Sequence, residues 1–437
     1  SKKLKGSTLR LVDRNAQSLD IVHRLANRLN REWDAKFNIT AHTHHKDALQ
    51  DSNFVVSAIE VGPREELWKS DFEIPIKYGV RQPYAENGGP GGFAHAARNV
   101  KPVLEIAHDM ELACPDAWFI NFTNPMVRIC DVVNRYSKIK VVGLCHQIYQ
   151  GYMMAGVALA KDLNLQVPDG LESTHANILQ HPLQQMMIHQ TLPLIDIQSA
   201  GTNHFTWILS IHHKQTGEDL YPLLRKRFFE LDEKFEPLTR RIFLDFNLFP
   251  VPGDTHLCEY LPWMSDPITK PYESFNIQLY DWAVMASVRD FSLDRLNDMA
   301  NGSATIDGLL DTDSEGALEL IENIAYAGNH YHLAANLPNL GQIENLPKNA
   351  IVETPVHIGG AGIQPVHVGK LPEPIAELCR REITVAQLCV DAAVEGDYQK
   401  ALQCLLLDPV ITDMNTAKKV LDDYLQTYKE HLPQFWK

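Results

Sequence analysis

The 437-residue chain has no run of 18 or more apolar residues, so no membrane-spanning helix is expected. Its first residues, Ser1-Lys2-Lys3-Leu4-Lys5-Gly6, hold no apolar signal core. It lacks a basic excess: 40 Lys and Arg stand against 55 Asp and Glu, a net charge of −15. That balance excludes a surface built to neutralise a phosphate backbone and disfavours an anionic membrane, so neither nucleic acid nor membrane is an expected partner. The seven cysteines are odd in number, widely spaced and without a CxxC pair. They read as reduced thiols of a cytoplasmic protein rather than a disulfide framework. Neither an internal repeat nor a low-complexity segment occurs, and residues 1–30 contain no GxGxxG loop.

What is there is the composition of a globular protein, 45% hydrophobic and 22% charged, enough to bury a sizeable core. At roughly 150 residues per domain the length predicts two lobes. Residues 7–13 read as a strand ending in Asp13, followed by a helix over about 16–35. Strands are expected at 53–59, 117–122 and 140–145, with a helix at about 100–113. Such alternation predicts an α/β fold, a Rossmann-like, doubly wound parallel sheet over residues 1–150. Residues 151–437 read as a helix-rich α+β lobe. Its strands are expected at 186–189, 196–198 and 206–211. Its helices are expected at 151–164, 275–300, 313–327, 372–382, 384–395, 397–406 and 414–430. No linker marks the boundary near 150–175, so tight packing of the lobes is expected.

Ligands of such sheets bind at the carboxyl ends of the strands. Three of the four expected strands end in chemically useful residues: Asp13, Asn121–Asn124 and Cys145–His146. An acid in the place of Asp13 accepts the ribose hydroxyls of NAD, and the glycine fingerprint lies one strand earlier. Either about 25–30 residues precede Ser1, or the chain does without its phosphate loop. Glu86-Asn87-Gly88-Gly89-Pro90-Gly91-Gly92 is a turn that lets a backbone approach a ligand, or a plain surface turn. Cys145 and His146 are metal-ligand types, although a lone Cys-His pair is usually inert. His204, beside Phe205 and Trp207, reads equally as a core histidine. Asp254, His256, Glu259 and Tyr260 form a dense set able to supply acid–base groups.

In this order the residues resemble glycoside hydrolase family 4, the NAD- and Mn-dependent glycosidases, over almost the whole chain. Val56-Ser57-Ala58-Ile59-Glu60-Val61-Gly62, Gly89-Pro90-Gly91-Gly92 with Arg98, and Asn121-Phe122-Thr123-Asn124-Pro125-Met126 look like family segments. So do Cys145-His146-Gln147-Ile148, Gly201-Thr202-Asn203-His204 and the stretch from Gly362 to Pro372. The resemblance implies a lactate/malate dehydrogenase-like fold, with Cys145 and His204 as ligands of Mn²⁺ or another divalent metal. It implies NAD contacts from Asp13, Ser57, Ile59, Asn121 and Thr123, and sugar contacts from Asn124, Asn203, Arg98 and His256. The implied reaction is redox elimination: hydride leaves C3 for NAD, a base takes the C2 proton, the leaving group departs from C1, water adds, and hydride returns.

Asp254, in a Gly-Asp-x-His setting, is the implied base, with Tyr260 second; His146 and Glu86 are the implied leaving-group acids. His146 after the metal cysteine is similar to the branch acting on non-phosphorylated α-glycosides. Asn203–Trp207, Gly253–Leu257 and the segment 339–354 look most like its α-galacturonidases, whereas Gln147 replaces their Glu. A uronate pocket is expected to offer an Arg or Lys. The expected partners are a small α-glycoside and copies of the same chain, as a homodimer or homotetramer. The second reading is an NAD-dependent sugar or hydroxy-acid dehydrogenase on the same fold. A third is a non-catalytic binding protein.

Overall fold

The computed structural model describes residues 2–437 except 83, 172–181, 265, 267, 278–279, 281 and 310–313, and the backbone alone for 283–291. The first half runs β1 (Thr8–Val12), α1 (Ala16–Glu32), β2 (Asn38–His42), α2 (Lys46–Leu49), β3 (Phe54–Ser57) and α3 (Arg64–Ile76). It continues with α4 (Gly89–Ala113), β4 (Trp118–Asn121), α5 (Met126–Tyr136) and β5 (Lys140–Gly143). Asn15 starts α1 because its side chain accepts the N–H of Gln17 and Ser18 at 3.0 and 3.1 Å.

The second half opens with α6 (Ile148–Leu159), α7 (Pro182–Thr191), β6 (Ile195–Thr202), β7 (Phe205–His213), α8 (Tyr221–Glu230) and α9 (Pro237–Phe246). Next come β8 (Phe249–Pro250), α10 (Gly253–Leu257), α11 (Pro271–Ser274), α12 (Trp282–Asn301) and α13 (Ala317–Ala325). It closes with β9 (Asn329–Pro338), β10 (Ile351–Gly359), β11 (Gly362–Pro365), α14 (Glu373–Glu395), α15 (Tyr398–Leu407) and α16 (Met414–Thr427). No helix of the described residues is long and apolar enough to cross a membrane.

Three expectations need correction. The strand expected at 186–189 is part of α7: Gln184, Met187, Ile188 and Thr191 are buried at helical spacing. Gly156 of α6 lets that face approach, because a Cβ there would collide with Thr191 Oγ1. The two helices expected at 372–395 are one, α14; Ile383 is buried within its continuous apolar face, and Gly396 at φ 73° ends it. The strands β2, β8, β9, β10 and β11 have no counterpart among the expected strands. Positions 278–279, 281 and 313 of the expected helices lie outside the described residues.

The main sheet has nine strands in the order β3-β4-β5-β9-β10-β6-β7-β8, with β11 on β10. Its parallel part, β3-β4-β5, is Rossmann-like and covered on both faces. Alternate residues show this: Phe119 and Val141 face a core shared with α4, α5, α14, α15 and α16. Ile120 and Val142 face the opposite core, which includes Leu320 of α13. The sheet does not stop at the expected lobe boundary. β9 joins β5 antiparallel at Gly143 and Asn336, so both halves of the chain share it. β1 and β2 form a separate parallel pair. Arg10 ties that pair to the body, donating through Nη1 to Ala48 O, Gln50 O and Ser52 Oγ at 3.1, 2.7 and 3.1 Å. Among the described residues no strand pairs with the other edge of β1 or of β3.

One charge cluster lies inside the helical core. Arg128 Nη2 is 4.0 Å from Glu382 Oε1, and Nη1 is 3.8 Å from Cys389 Sγ. Burial outweighs the guanidinium, and Asp408, Glu259 and Cys389 add to it, pushing the Glu382 carboxyl up to about 8. A carboxyl whose pKa is raised by folding stabilises the fold below its unfolded value and loses that contribution as pH rises through its folded value. Wild-type stability is therefore expected to fall between about pH 4.5 and 8 relative to Glu382→Gln, by about 2–4 kcal/mol. Urea unfolding at pH 5, 7 and 9 measures it; parallel curves for the two proteins would remove the assignment.

Candidate active site

Cys145 follows the end of β5, two residues beyond Gly143, and His204 occupies the tight turn between β6 and β7. The turn holds His204 in the left-handed region, φ 62°, uncommon for a residue with a Cβ. The two side chains, 59 positions apart, meet with Sγ and Nε2 3.5 Å apart. Burial holds His204 well below its usual pKa, with His256 and His146 adding to this, so the ring is neutral. His204 Nδ1 is buried without a partner. Burial pushes the Cys145 thiol up, and Glu353 pushes it further.

Aromatic rings stack on this pair. His256 lies on His204 with centroids 4.5 Å apart, and Tyr84 lies on His256 at 4.8 Å. His256 Nδ1 is 3.1 Å from Glu259 Oε2, and Glu259 Oε1 is buried without a partner. His146 is oriented by Glu315, which meets its Nδ1 at 2.8 Å. Asn124, at a cis peptide before Pro125, has a buried Oδ1 without a partner, as does Asn203.

Asp254 sits on α10, two residues before His256. Its Oδ2 accepts the N–H of Leu238 at 2.9 Å and its Oδ1 that of Thr239 at 2.7 Å, at the start of α9. Glu236 Oε2 accepts the Asp254 N–H at 2.7 Å. Burial raises both carboxyls; of the two, Glu236 is the one held as an acid. Tyr260 is buried with its ring 5.2 Å from that of Phe205, and burial raises its phenol well above the usual value. Glu86 pairs with Arg64 at 3.2 Å and takes an N–H of Asn87 at 3.1 Å.

Four of the five expected cofactor residues, Ser57, Ile59, Asn121 and Thr123, gather at the ends of β3 and β4. Thr123 Oγ1 accepts the Ile59 N–H at 2.9 Å and donates to the Ile59 carbonyl at 3.1 Å. Asn121 Nδ2 donates to the Thr123 carbonyl at 2.9 Å. These bonds pin the two strand ends, and Ser57 Oγ is buried without a partner. Asp13 is exposed at the end of β1, its Oδ1 accepting the Asn15 N–H at 2.8 Å.

Arg98 is a correction. Both its terminal nitrogens donate to the Asp71 carboxylate, at 2.7 and 2.6 Å, in full burial, and the guanidinium covers the Tyr428 ring at 4.5 Å. It is an internal strut, and offering it to a sugar would strand Asp71. Sequence reasoning missed Asp71, 27 residues away, for want of any local signal. It also missed Glu353, although an acid inside the apolar run Ile351–Val356 was a signal, and the pair Glu60–His95. There Nε2 of His95 stands 2.8 Å from Glu60 Oε2, and against burial His95 and Asn99 bring Glu60 down to about 2.

Among the described residues no three His, Cys, Asp or Glu side chains gather as a closed metal cage. Cys145 and His204 offer two donors, one sulfur and one neutral imidazole nitrogen, with positions left for ligand or water. That donor set, with unpartnered polar atoms beside it, fits a divalent cation bound together with a hydroxylated ligand.

Two family models match consecutive parts of the chain: family 4 glycosyl hydrolase over residues 1–164, and the family 4 glycosyl hydrolase C-terminal domain over residues 199–411. The chain belongs to the family 4 glycosyl hydrolases. This family 4 enzyme is 27% identical to the α-glucosidase of Erwinia rhapontici, over 97% of this chain and 91% of the relative. It is 28% identical to the α-galactosidase of Bacillus subtilis, over 99% and 94%. It is also 28% identical to the α-galacturonidase of Thermoanaerobacterium saccharolyticum, over 89% and 82%. The fold matches the putative glucosidase lplD of B. subtilis with a TM-score of 0.80 at 24% identity, covering 96% and 93% of the two chains. It matches a 6-phospho-α-glucosidase from gut microorganisms, solved with NAD and Mn²⁺, with a TM-score of 0.77 at 21% identity, covering 98% and 92%. As a family 4 member the protein is a glycosidase.

Proposed function

We propose that the enzyme cleaves non-phosphorylated α-glycosides, with α-galacturonides and other α-uronides as the leading class, by NAD-dependent redox elimination with Mn²⁺ or a related divalent cation. The observation that carries this reading is the 3.5 Å approach of Cys145 and His204, with His204 Nδ1 and the Oδ1 of the adjacent Asn203 buried without a partner. His146 directly after Cys145 supports the non-phosphorylated class, as do the α-galacturonidase and α-galactosidase relatives. Residues 1–150 would hold the cofactor through Asp13, Ser57 and the backbone at Ile59, with Asn121 and Thr123 keeping those strand ends in place. Residues 151–437 would supply most of the substrate side.

When bound, NAD supplies reversible hydride storage and the cation supplies polarisation of the neighbouring sugar oxygens. The chain's own residues do the rest. Cys145 and His204 hold the cation, and Asn124 and Asn203 offer their free carbonyl oxygens to sugar hydroxyls. Asp254 removes the C2 proton: burial raises its pKa toward that of a working base, and two backbone N–H groups fix it. His146, oriented through Nδ1 by Glu315, hands a proton from Nε2 to the leaving group. Glu86, engaged by Arg64, is the second choice for that role, as Tyr260 is for the base. His256, stacked on His204, walls the pocket.

The enzyme is read as a homodimer or homotetramer of the cytoplasm, where its seven unpaired cysteines stay reduced. A panel of p-nitrophenyl α-glycosides tests the main reading: glucoside, galactoside, glucuronide, galacturonide and 6-phosphoglucoside, each with and without NAD, Mn²⁺ and reductant. Nitrophenol release from a uronide that needs both NAD and Mn²⁺ is expected. Stoichiometric NADH from a free sugar, with no release from any glycoside, would move the enzyme's chemistry to that of a dehydrogenase.

A further inference from the structure

Glu353 lies on β10 directly opposite Gly201 of β6, the strand that leads into the turn of His204. Its side chain is 1% exposed. Oε2 accepts the Asn203 amide at 2.7 Å and the Asn336 amide at 2.8 Å. Asn203 immediately precedes His204. Asn336 is the register partner of Gly143, two residues before Cys145, and its amide also donates to the Gly143 carbonyl at 3.4 Å. One carboxylate thus links the two strands that deliver Cys145 and His204, from behind both. Oε1 is buried without a partner, and the groups that hold Oε2 are neutral amides.

Burial raises the Glu353 carboxyl above its usual pKa against the two amides, and a cation placed close by favours its charged form. A ligating cysteine is a thiolate and adds a second negative charge, whereas the imidazole adds none. A cation seated between Cys145 and His204 then has the thiolate and the Glu353 carboxylate to balance it, two negative charges that match a divalent ion. We propose that Glu353 is a positioning and charge-balancing residue of the cation site, holding Asn203 in place and supplying the second negative charge. This rests on the reading of Cys145 and His204 as ligands. Removal of a group that supports a metal ligand from behind typically weakens metal affinity by about 10–100-fold.

The test is Glu353→Gln, whose carbonyl still accepts both amides while the charge is gone. Binding of Mn²⁺ alone is read from the electron paramagnetic resonance signal of the free ion, in phosphine reductant and without NAD. A Kd at least about tenfold weaker than wild type is expected, with metal-free melting within about 3 °C. Glu353→Asp keeps the charge with a shorter reach and is expected to bind more tightly than the Gln variant. Wild-type affinity in Glu353→Gln overturns the proposal, as does equal weakening in both variants, which would assign the effect to reach rather than charge. Should the Gln variant not fold, Asn336→Ser removes one amide that holds the carboxylate and leaves the ligands in place. A several-fold weaker Kd is expected there, and an unchanged one overturns the proposal. If wild type itself binds no Mn²⁺, the ligand reading fails and this proposal falls with it. If wild type binds and the variants match it, only the role of Glu353 fails.

Discussion

Cys145→Ser is expected to abolish turnover of every glycoside in the panel, by at least about a thousandfold, because a divalent cation stabilises developing charge by several kcal/mol. The substitution is nearly isosteric, so the fold has no reason to move. What changes is the donor: a thiolate is a far better ligand than an alcohol that stays protonated. The thiol is partly buried and its pKa is raised, so it ionises only when a cation is there to receive it. The expected signature is therefore double. Mn²⁺ affinity collapses, while melting of the metal-free protein stays within about 3 °C of wild type. Retained activity in Cys145→Ser would show that the approach of Cys145 to His204 is packing. His204→Ala gives a weaker contrast, because it also removes the ring on which His256 stacks.

Asp254→Asn is expected to lower kcat by about 10²–10⁴ with little change in KM, the range for losing a positioned general base. The amide still offers one carbonyl oxygen to the start of α9, but its NH₂ faces the second N–H, so some loss of stability accompanies it. A structural effect alone would not alter which step limits the rate. A substrate deuterated at C2 separates the two: the isotope effect on kcat is expected to rise in Asp254→Asn. Tyr260→Phe, made in the apolar pocket beside Phe205, is expected to lose less than about tenfold, below the range for a base. If the two variants exchange these behaviours, the base is Tyr260, and Asp254 is a helix cap shared with Glu236.

The parts legible in the sequence were those where local pattern and chemistry coincide. Apolar runs ending in Asn121 and Cys145 gave parallel strands buried on both faces, with reactive residues at their carboxyl ends, while the run ending in Asp13 gave β1 of the separate, largely exposed pair. Residues 186–189 misled because a four-residue apolar run has no period of its own; burial of Gln184 and Thr191 on the same face makes it helical. Arg98 misled for another reason. The resemblance implies a sugar contact for it, whereas Asp71, on a different helix, holds both its terminal nitrogens. Glu353 meets Asn203 across 150 positions of sequence, a distance no local pattern spans.

The shared sheet also sets the order of events on the ribosome. β5 is made early, yet its second neighbour, β9, is supplied by Asn329–Pro338. At the usual pace of synthesis that edge waits roughly 10–40 s for its partner, long enough to pair with another nascent chain. Half of the chain cannot complete its own sheet, so residues 1–164 released alone are expected to stick rather than fold. Cys145 can be in place long before Glu353 is made, so the proposed cation site is completed late.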